Sequence, residues 1–151
     1  RVAEIARAFG AKVIYYSASG APAQEGYEQV DFETLLTQSD IISVHAPLNE
    51  HTEGLINSKA FKKMKSSCIF LNLGRGPIVD EQALYDALVR DQIAAAGLDV
   101  LCEEPMSADN PLVQFKDSKR LLITPHIAWA SVEARTHLME IIHGQVKDFF
   151  A

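Results

Sequence analysis

The sequence has 151 residues, which suits one domain of ordinary size or a piece of a larger protein. A hydrophobic content of 48% with 23% charged residues is typical of a soluble globular protein and argues against a disordered chain. The net charge of −6, with no basic cluster to offset it, argues against a nucleic-acid partner.

Membrane insertion and secretion are also not indicated. No apolar stretch approaches the roughly 18 residues of a membrane span, and no secretory signal opens the chain. Cys68 lies in an apolar segment and Cys102 in a polar one, so the two cysteines do not suggest a disulfide framework. We therefore expect a cytoplasmic protein with no membrane partner.

The first part of the chain predicts helices and strands in alternation. Apolar residues at helical spacing precede Gly10, so residues 1–10 are expected to form a helix that this glycine ends. A β-branched and aromatic strand (11–16) and a loop (17–26) follow. Asp31 is placed to cap a helix over 32–39, and residues 40–45 predict a buried strand.

The second part continues the alternation. A short helix (57–65), an apolar strand (67–74), a helix capped by Asp80 (81–92) and a strand of small residues (93–100) are predicted in turn. A polar loop from 101 to 120 leads to a last strand over 121–126. Ser131 is placed to cap a long final helix over 132–150.

This order of elements predicts an α/β fold. Strands that alternate with helices and are apolar almost throughout indicate a doubly wound parallel sheet covered on both faces. In such a sheet, ligands bind beyond the carboxyl ends of the strands. That rule selects five stretches of the chain: 17 onward, 45–47, 73–76, 99–104 and 126–129.

Arg75 is the first candidate residue at these strand ends. It stands between Gly74 and Gly76, which would let a ligand and the backbone approach closely. A guanidinium is always charged, and its planar fork matches a carboxylate through two hydrogen bonds. The segment resembles half of a dinucleotide fingerprint, but Val79 replaces the third glycine and Pro77 lacks an amide donor. Arg75 is therefore interpreted either as an anion-binding residue or as part of a structural salt bridge.

Acidic residues and a histidine follow the last two predicted strands. Asp99 is expected to face the cleft as a hydrogen-bond acceptor, or else to cap the backbone of the following loop. Pro105 disfavours helical backbone at Glu104, and one of Glu103 and Glu104 is expected to be solvated. His126 changes its protonation state near neutral pH, so it is either a proton donor or a structural residue at a strand end.

Two other kinds of site are considered and set aside. A cysteine hydrolase would use Cys102 as its nucleophile, but the adjacent Glu103 and Glu104 would raise the pKa of that thiol. His137 and His143 are six residues apart, which is not the spacing of a metal-binding pair on a helix. No metal site is therefore expected.

Four segments occur in the order and at the spacing found in a known family: HAPLNEHTEGLIN (45–57), LNLGRGPIVDEQAL (71–84), AAAGLDVLCEEP (94–105) and ITPHIAW (123–129). Together they resemble the D-isomer-specific 2-hydroxyacid dehydrogenases, over nearly the whole chain. Within the family, PHIAWAS, which includes Trp129, is most similar to glycerate dehydrogenases, also called hydroxypyruvate reductases. The resemblance implies a Rossmann-like domain of an NAD(P)-dependent oxidoreductase that acts on small 2-hydroxy and 2-oxo acids.

The resemblance assigns three catalytic residues. Arg75 would bind the substrate carboxylate and help to polarise the reacting carbonyl. His126 would protonate the ketone oxygen during reduction and take the proton back in the reverse direction. Glu104 would hold His126, which leaves Glu103 as the solvated neighbour.

The resemblance also implies a set of cofactor-binding residues. Asp99 would accept a hydrogen bond from the nicotinamide carboxamide and so orient the ring. His45 would contribute chiefly through its backbone. With Asp99, the residues expected to line the cofactor groove are Ser17, His45, Ala46, Pro47, Leu73, Gly74, Arg75, His126 and Ala128.

Ser17 is one departure from the family pattern. It stands where the family carries an acid that binds the adenosine ribose, and no arginine follows to bind a 2′-phosphate. NAD is therefore the preferred cofactor, with NADP as the alternative.

A second departure concerns the extent of the chain. The family's G-x-G-x-x-G loop and the strand before it would precede Arg1, and the substrate domain is missing as well. We expect a fragment, inactive alone, of a homodimeric protein of about double the length. Residues 1–130 would be a nucleotide-binding domain without its first strand and loop, and 131–151 a helix leading back toward the substrate domain.

Two alternatives to this enzyme remain open. The same fold also serves in non-catalytic, nucleotide-sensing corepressors, and fold alone does not separate them from enzymes. A formate-type dehydrogenase fits less well, because that branch carries a glutamine where Glu104 stands.

Overall fold

The computed structural model describes residues 1–150; Ala151, which ends the predicted segment 131–151, lies outside them. The described helices and strands are α1 (Val2–Ala8), β1 (Ile14–Tyr15), β2 (Glu28–Gln29), α2 (Phe32–Gln38), β3 (Ile41–Val44), α3 (Ser58–Phe61), β4 (Ile69–Asn72), α4 (Glu81–Val89), β5 (Ala95–Leu98), β6 (Leu121–Ile123) and α5 (Val132–Phe149). Two short 3-10 helices cover Gly76–Ile78 and Pro111–Gln114. Each predicted strand is shorter in the structure than the segment predicted for it.

The strands form two separate parallel sheets. β3, β4, β5 and β6 lie side by side in that order, and one row of partners runs across them through Ile42, Phe70, Ala96 and Leu121. β1 pairs only with β2 in a second, two-stranded sheet. The strand β2 was not predicted, since its two polar residues carry no pattern of alternating apolar side chains.

The core lies on one face of the four-stranded sheet. Phe61 of α3 and Leu84 and Leu88 of α4 are fully buried in the same cluster as Phe70 of β4. The rings of Phe61 and Phe70 meet edge to face, with centroids 5.4 Å apart and planes at 81°. This geometry is favourable for aromatic pairs and fixes α3 over the centre of the sheet.

The predicted parallel α/β sheet is confirmed, and within residues 1–150 its opposite face is less covered than the face that holds the core. Ile41, Ile69 and Leu122 are 60%, 40% and 65% exposed. The helices that cover the core all lie on the other face, whereas α1 and α5 bury no residue at all. Within residues 1–150, no helix has the length and apolar character needed to cross a bilayer.

The predicted helix caps are confirmed by their hydrogen bonds, although α3 and α4 end at Phe61 and Val89, before the predicted ends at 65 and 92. Asp31, Asp80 and Ser131 each accept from a backbone amide in the first turn of α2, α4 and α5. Gly10 has a φ of +86° just after α1, and its amide and that of Ala11 return to carbonyls of the last turn. Short polar side chains and a left-handed glycine thus set where the helices begin and end.

Candidate active site

The carboxyl ends of the four parallel strands meet at one edge of the sheet. Backbone hydrogen bonds continue slightly beyond the strands there, from Leu73 to Val44, from Asp99 to Asn72, and from Thr124 to Leu98. The loops after β3, β4, β5 and β6 therefore start in register. Every candidate residue except Ser17 lies on these four loops.

The turn that carries Arg75 is shaped by Asn72, which is 1% exposed. The Asn72 side chain donates from Nδ2 to the Arg75 carbonyl (2.9 Å) and accepts at Oδ1 from the Gly74 amide (3.1 Å). The Arg75 guanidinium donates from Nη1 to the Gly74 carbonyl at 2.8 Å. Arg75 makes no ion pair with a carboxylate of residues 1–150, so the structural salt bridge is not found.

The glycines beside Arg75 accommodate the protein's own backbone. A Cβ on Gly76 would overlap the Leu101 carbonyl and the Cys102 amide nitrogen, and one on Gly74 would lie 3.0 Å from the Ala46 carbonyl oxygen. The close approach of backbone predicted for both glycines is confirmed, and the approach of a ligand stays a prediction. They let the loops after β3 and β5 pack against the turn that carries Arg75.

Glu104 and His126 form a hydrogen-bonded pair. Oε2 of Glu104 lies 2.7 Å from Nδ1 of His126, and Oε1 accepts from the Leu101 amide at 2.9 Å. The hydrogen bond from Leu101, followed by the one from His126, lowers the pKa of Glu104, so it is a carboxylate at neutral pH. A carboxylate only accepts, so Nδ1 carries the proton and Nε2 is the nitrogen available to a ligand.

The backbone at His126 has an unusual conformation. Its φ is +54°, which few residues other than glycine adopt, and its carbonyl accepts from Trp129 Nε1 at 2.8 Å. The next two amides, of Ile127 and Ala128, donate to Asp99 at 2.9 and 2.8 Å. Neighbouring hydrogen bonds thus hold the strained residue in place.

Asp99 is the buried acceptor that organises this loop. It is 3% exposed, and besides the two amides it accepts from Thr124 Oγ1 at 2.6 Å. Burial alone would raise the pKa of Asp99, but the hydrogen bonds from Thr124, Ala128 and Ile127 outweigh it and lower the pKa. Asp99 does cap backbone, but in the loop after β6 and not in the loop that directly follows it.

Arg75, Glu104 and His126 line one pocket of about 250 Å³. Its walls are completed by residues of the neighbouring turns: Gly76, Pro77, Val100, Leu101 and Cys102. A larger groove of about 550 Å³ is lined by residues of α5 and by none of the candidate residues. A cation, a carboxylate and an imidazole from three separate loops therefore share a small cleft, which is suited to binding an anion beside a proton donor.

The remaining candidate residues follow the ends of β1, β3 and β4. Four of them form an edge with much apolar surface. His45 and Pro47 are exposed, Ala46 is half-buried, and Leu73 is 39% exposed. His45 Nε2 lies 2.8 Å from Ser43 Oγ. Ser17 lies two residues after β1, and its Oγ is 3.2 Å from Ser19 Oγ.

Cys102 borders the pocket but is not activated. Burial first, and then the charge and hydrogen bond of Glu81, raise the pKa of its thiol to about 11. The sequence analysis attributed such an increase to Glu103 and Glu104, which is wrong because Glu81 is the acid that reaches Cys102. A thiol whose pKa is raised is mostly protonated at neutral pH, which argues against Cys102 as a nucleophile.

Four residues that shape the site were missed by the sequence analysis: Asn72, Glu81, Thr124 and Trp129. Asn72 and Thr124 are polar residues that close otherwise apolar strands, and that contrast was a usable signal. Glu81 and Trp129 gave no such signal, because their partners, the Cys102 amide and the His126 carbonyl, are known only from the folded chain.

The chain is similar in sequence to a known protein family and to proteins of named function. The sequence profile of the D-isomer specific 2-hydroxyacid dehydrogenase, NAD binding domain, matches residues 1–128. A hydroxypyruvate reductase from Blautia hydrogenotrophica is 45% identical over 148 residues, which are 97% of this chain and 45% of that protein. A glycerate dehydrogenase from Methylorubrum extorquens is 42% identical over 150 residues, 99% of this chain and 46% of that protein.

A solved structure agrees in fold as well as in sequence. An acyclic imino acid reductase in complex with NADPH and D-Arg superimposes with a TM-score of 0.88 at 38% identity, over 99% of this chain and 46% of that one. The chain therefore spans about half the length of the relatives it matches. With the family match over residues 1–128, the chain belongs to the NAD-binding domain family of the D-isomer-specific 2-hydroxyacid dehydrogenases.

Proposed function

We propose that the complete protein interconverts a small D-2-hydroxy acid and its 2-oxo acid with NAD(P), and that glycerate and hydroxypyruvate are the substrate pair. The observation that carries this proposal is the shared pocket of Arg75, Glu104 and His126. The names of the relatives from B. hydrogenotrophica and M. extorquens support the choice of substrate.

Arg75 binds the substrate carboxylate in this proposal. Its guanidinium uses Nη1 to reach the Gly74 carbonyl and has no carboxylate partner among residues 1–150. Several N–H groups therefore remain for an external anion, and a 2-oxo acid offers a carboxylate that two parallel hydrogen bonds can hold. The positive charge also stabilises negative charge that develops on the adjacent carbonyl oxygen.

His126 supplies and receives the proton at the carbonyl oxygen. Its Nδ1 is occupied by Glu104 at 2.7 Å, so transfer takes place at Nε2. During reduction Nε2 donates to the oxygen that becomes the hydroxyl, and in the reverse direction it accepts that proton. Glu104 remains ionised and holds the ring in one orientation throughout.

The residues at the carboxyl edge fit a nicotinamide cofactor. Ala46, Pro47 and Leu73 offer apolar surface there, and Asp99 has a second carboxylate oxygen that accepts only one hydrogen bond. These residues, with His45, Gly74 and Ala128, would hold the nicotinamide end, and Ser17 the adenosine end. The cofactor supplies the hydride when bound. We propose NAD first, because neither Arg nor Lys occurs between Lys12 and Lys59 to bind a 2′-phosphate.

The organisation of the complete protein is part of the same proposal. Residues 1–130 belong to the cofactor domain, and α5 leads toward a substrate domain, which is consistent with its lack of buried residues. The protein is a cytoplasmic homodimer in this proposal. Sedimentation of the complete protein measures the dimer directly, and a monomer at micromolar concentration contradicts that part.

Turnover by the complete protein tests the proposed function. Hydroxypyruvate, glyoxylate and pyruvate are assayed in turn with NADH and with NADPH. The highest kcat/KM is expected for hydroxypyruvate with NADH. Binding of NADH without turnover of any 2-oxo acid would instead support a nucleotide-sensing corepressor, and a strong preference for NADPH would reverse the cofactor assignment.

A further inference from the structure

The loop that carries Glu104 is attached to α4 through a single side chain. Glu81, the first residue of α4, accepts at Oε1 from the Cys102 amide (2.8 Å) and at Oε2 from Asn110 Nδ2 (2.7 Å). Residues 101–110, which we name the Glu104 loop, are therefore held near both ends by one carboxylate. Glu104 lies between the two attachment points.

The near attachment point is coupled directly to the acid–base pair. Cys102 follows Leu101, whose amide donates to Glu104 Oε1 at 2.9 Å, and Oε2 of the same carboxylate holds His126. The Leu101–Cys102 peptide also packs against Gly76, with no space for a Cβ between them. A displacement of Cys102 would therefore move the donor that orients Glu104.

The far attachment point is anchored in the core. Asn110 is 8% exposed, and its Oδ1 accepts from the amide of Leu112, which is 2% exposed. The side-chain amide of Asn110 is thus a fixed donor, against which Glu81 can position the rest of the loop. A carboxylate suits this place because both of its oxygens accept hydrogen bonds.

We propose that Glu81 is a positioning residue for the reaction, which sets the Glu104 loop so that Glu104 holds His126 beside Arg75. This inference rests on the proposed function. Glu81 lies outside the pocket lining, so it acts through the Cys102 and Leu101 peptides and not on the substrate. The carboxylate of Glu81 thus links α4 to the Glu104 loop. Helix α4 follows the turn that carries Arg75, and Glu104 holds the proton donor His126.

Glu81→Ala in the complete protein tests the proposal by steady-state kinetics over pH. We expect kcat to fall about 10- to 100-fold, because a small misplacement of a catalytic group has effects of that size. The acid limb of the kcat profile is expected to move to higher pH, because the Leu101 hydrogen bond that most lowers the pKa of Glu104 is weakened. NADH affinity is expected to remain unchanged.

Two comparisons separate positioning from general stabilisation. Gln82→Ala is the matched control, because Gln82 lies beside Glu81 on α4 and its side chain bonds only Asp86 at 3.2 Å. Glu81→Gln, which retains one acceptor oxygen, is expected to give an intermediate rate. A Glu81→Ala protein with a lower Tm but an unmoved pH profile and unchanged kcat overturns the proposal, as does a Gln82→Ala protein with the same defect.

Alkylation of Cys102 provides a readout that needs no turnover. Cys68 is fully buried, so the faster-reacting thiol is Cys102. Loss of Glu81 is expected to accelerate its alkylation, because the loop is released and the acid that helps to raise the thiol pKa is gone. An unchanged rate of Cys102 alkylation would show that Glu81 does not hold the Glu104 loop, even if the enzyme is active. A wild-type protein that reduces no 2-oxo acid contradicts the proposed function, and alkylation still decides whether Glu81 holds the loop.

Discussion

The four-stranded and two-stranded sheets differ strongly in how they are packed. Strand β4 contains the fully buried Phe70 and follows the fully buried Cys68, and α4 buries four residues beside it. In contrast, β1 is only half-buried, β2 is exposed, and the long helix α5 buries nothing. The packed region carries Arg75, Glu104 and His126, whereas the two-stranded region carries Ser17.

This difference separates two kinds of support for the candidate site. The acid–base pair is held by Asp99, Leu101 and Trp129, all of which lie within the described chain. The loop after β1 has mainly local support, such as the hydrogen bond from the Gln24 amide to the Tyr15 hydroxyl at 2.6 Å. The residues proposed for proton transfer therefore lie in the well-packed part of the described chain, and Ser17, proposed for the adenosine end, lies in the more exposed part.

The largest expected effect comes from removing the proposed proton donor, His126. Asn tolerates a positive φ better than most residues, so His126→Asn should preserve the backbone that has φ of +54°. We expect kcat to fall by about 10²- to 10⁴-fold, the usual contribution of a positioned acid or base. NADH affinity should persist, because Asp99 and not the imidazole holds the loop. Steady-state kinetics measures kcat, and fluorescence titration measures NADH affinity. A variant that turns over as fast as the wild type would contradict the role of His126.

Asp99→Asn removes the charge that organises the same loop. One of the three donors to Asp99 would then face an amide group, so we expect a loss of about 1.5–3 kcal/mol in the free energy of unfolding. Urea denaturation at neutral pH measures this loss. A loss below about 0.5 kcal/mol, typical of a surface substitution, would refute the organising role.

The same variant gives a pH test with a defined sign. The pKa of Asp99 is lower in the folded protein than the ordinary value of 3.8, so the unfolded chain takes up this proton more readily. The stabilisation is therefore complete above that value and is lost as pH falls through the lower, folded-state pKa. Between pH 5 and pH 3, urea denaturation should show a smaller loss of stability for Asp99→Asn than for wild type. Equal losses of stability for the two proteins over this pH range would contradict the lowered pKa of Asp99.

Gly76→Ala tests how tightly the packed region is built. The added methyl group would overlap the Leu101 carbonyl and the Cys102 amide, so the Glu104 loop must shift. We expect a loss of about 1–3 kcal/mol, the usual effect of overpacking, together with reduced turnover. Thermal unfolding and kinetics check this, and a fully active, equally stable variant would show that the loop moves freely.

Gly144→Ala makes the same chemical change in the unpacked region. Gly144 lies inside α5, and a Cβ there has no atom within 4 Å among the described residues. We expect a gain of about 0.5–1 kcal/mol from the better helix propensity of alanine. Thermal unfolding should therefore move in opposite directions for the two glycine substitutions. A destabilised Gly144→Ala protein would reveal a close contact of α5 with another surface.

Much of this architecture could be predicted from the sequence. Asp31, Asp80 and Ser131 were recognised as caps because their short polar side chains precede apolar residues at helical spacing. The strands β3 to β6 were recognised as apolar runs, and parallel pairing then places all their ends at one edge. That rule selects Arg75 and His126 from the sequence alone.

Other features could not be derived in this way. The strand β2 has two polar residues and exists only because β1 lies beside it. The apolar strands indicate burial, but the exposed fractions of Ile41, Ile69 and Leu122 are known only from the folded chain. Asp99 could be recognised as an acceptor, but its three donors lie on a loop 25 to 29 residues away in the sequence.

The family, the order of helices and strands apart from β2, and the residue types at the strand ends all follow from the amino-acid sequence alone. Those properties depend on local spacing, on side-chain periodicity and on contiguous motifs. Only the tertiary structure decided that the glycines beside Arg75 accommodate loops, that Glu81 holds the Glu104 loop, and that Nδ1 of His126 is already occupied. Hydrogen bonds of about 3 Å join residues far apart along the chain, so their partners are defined only after folding.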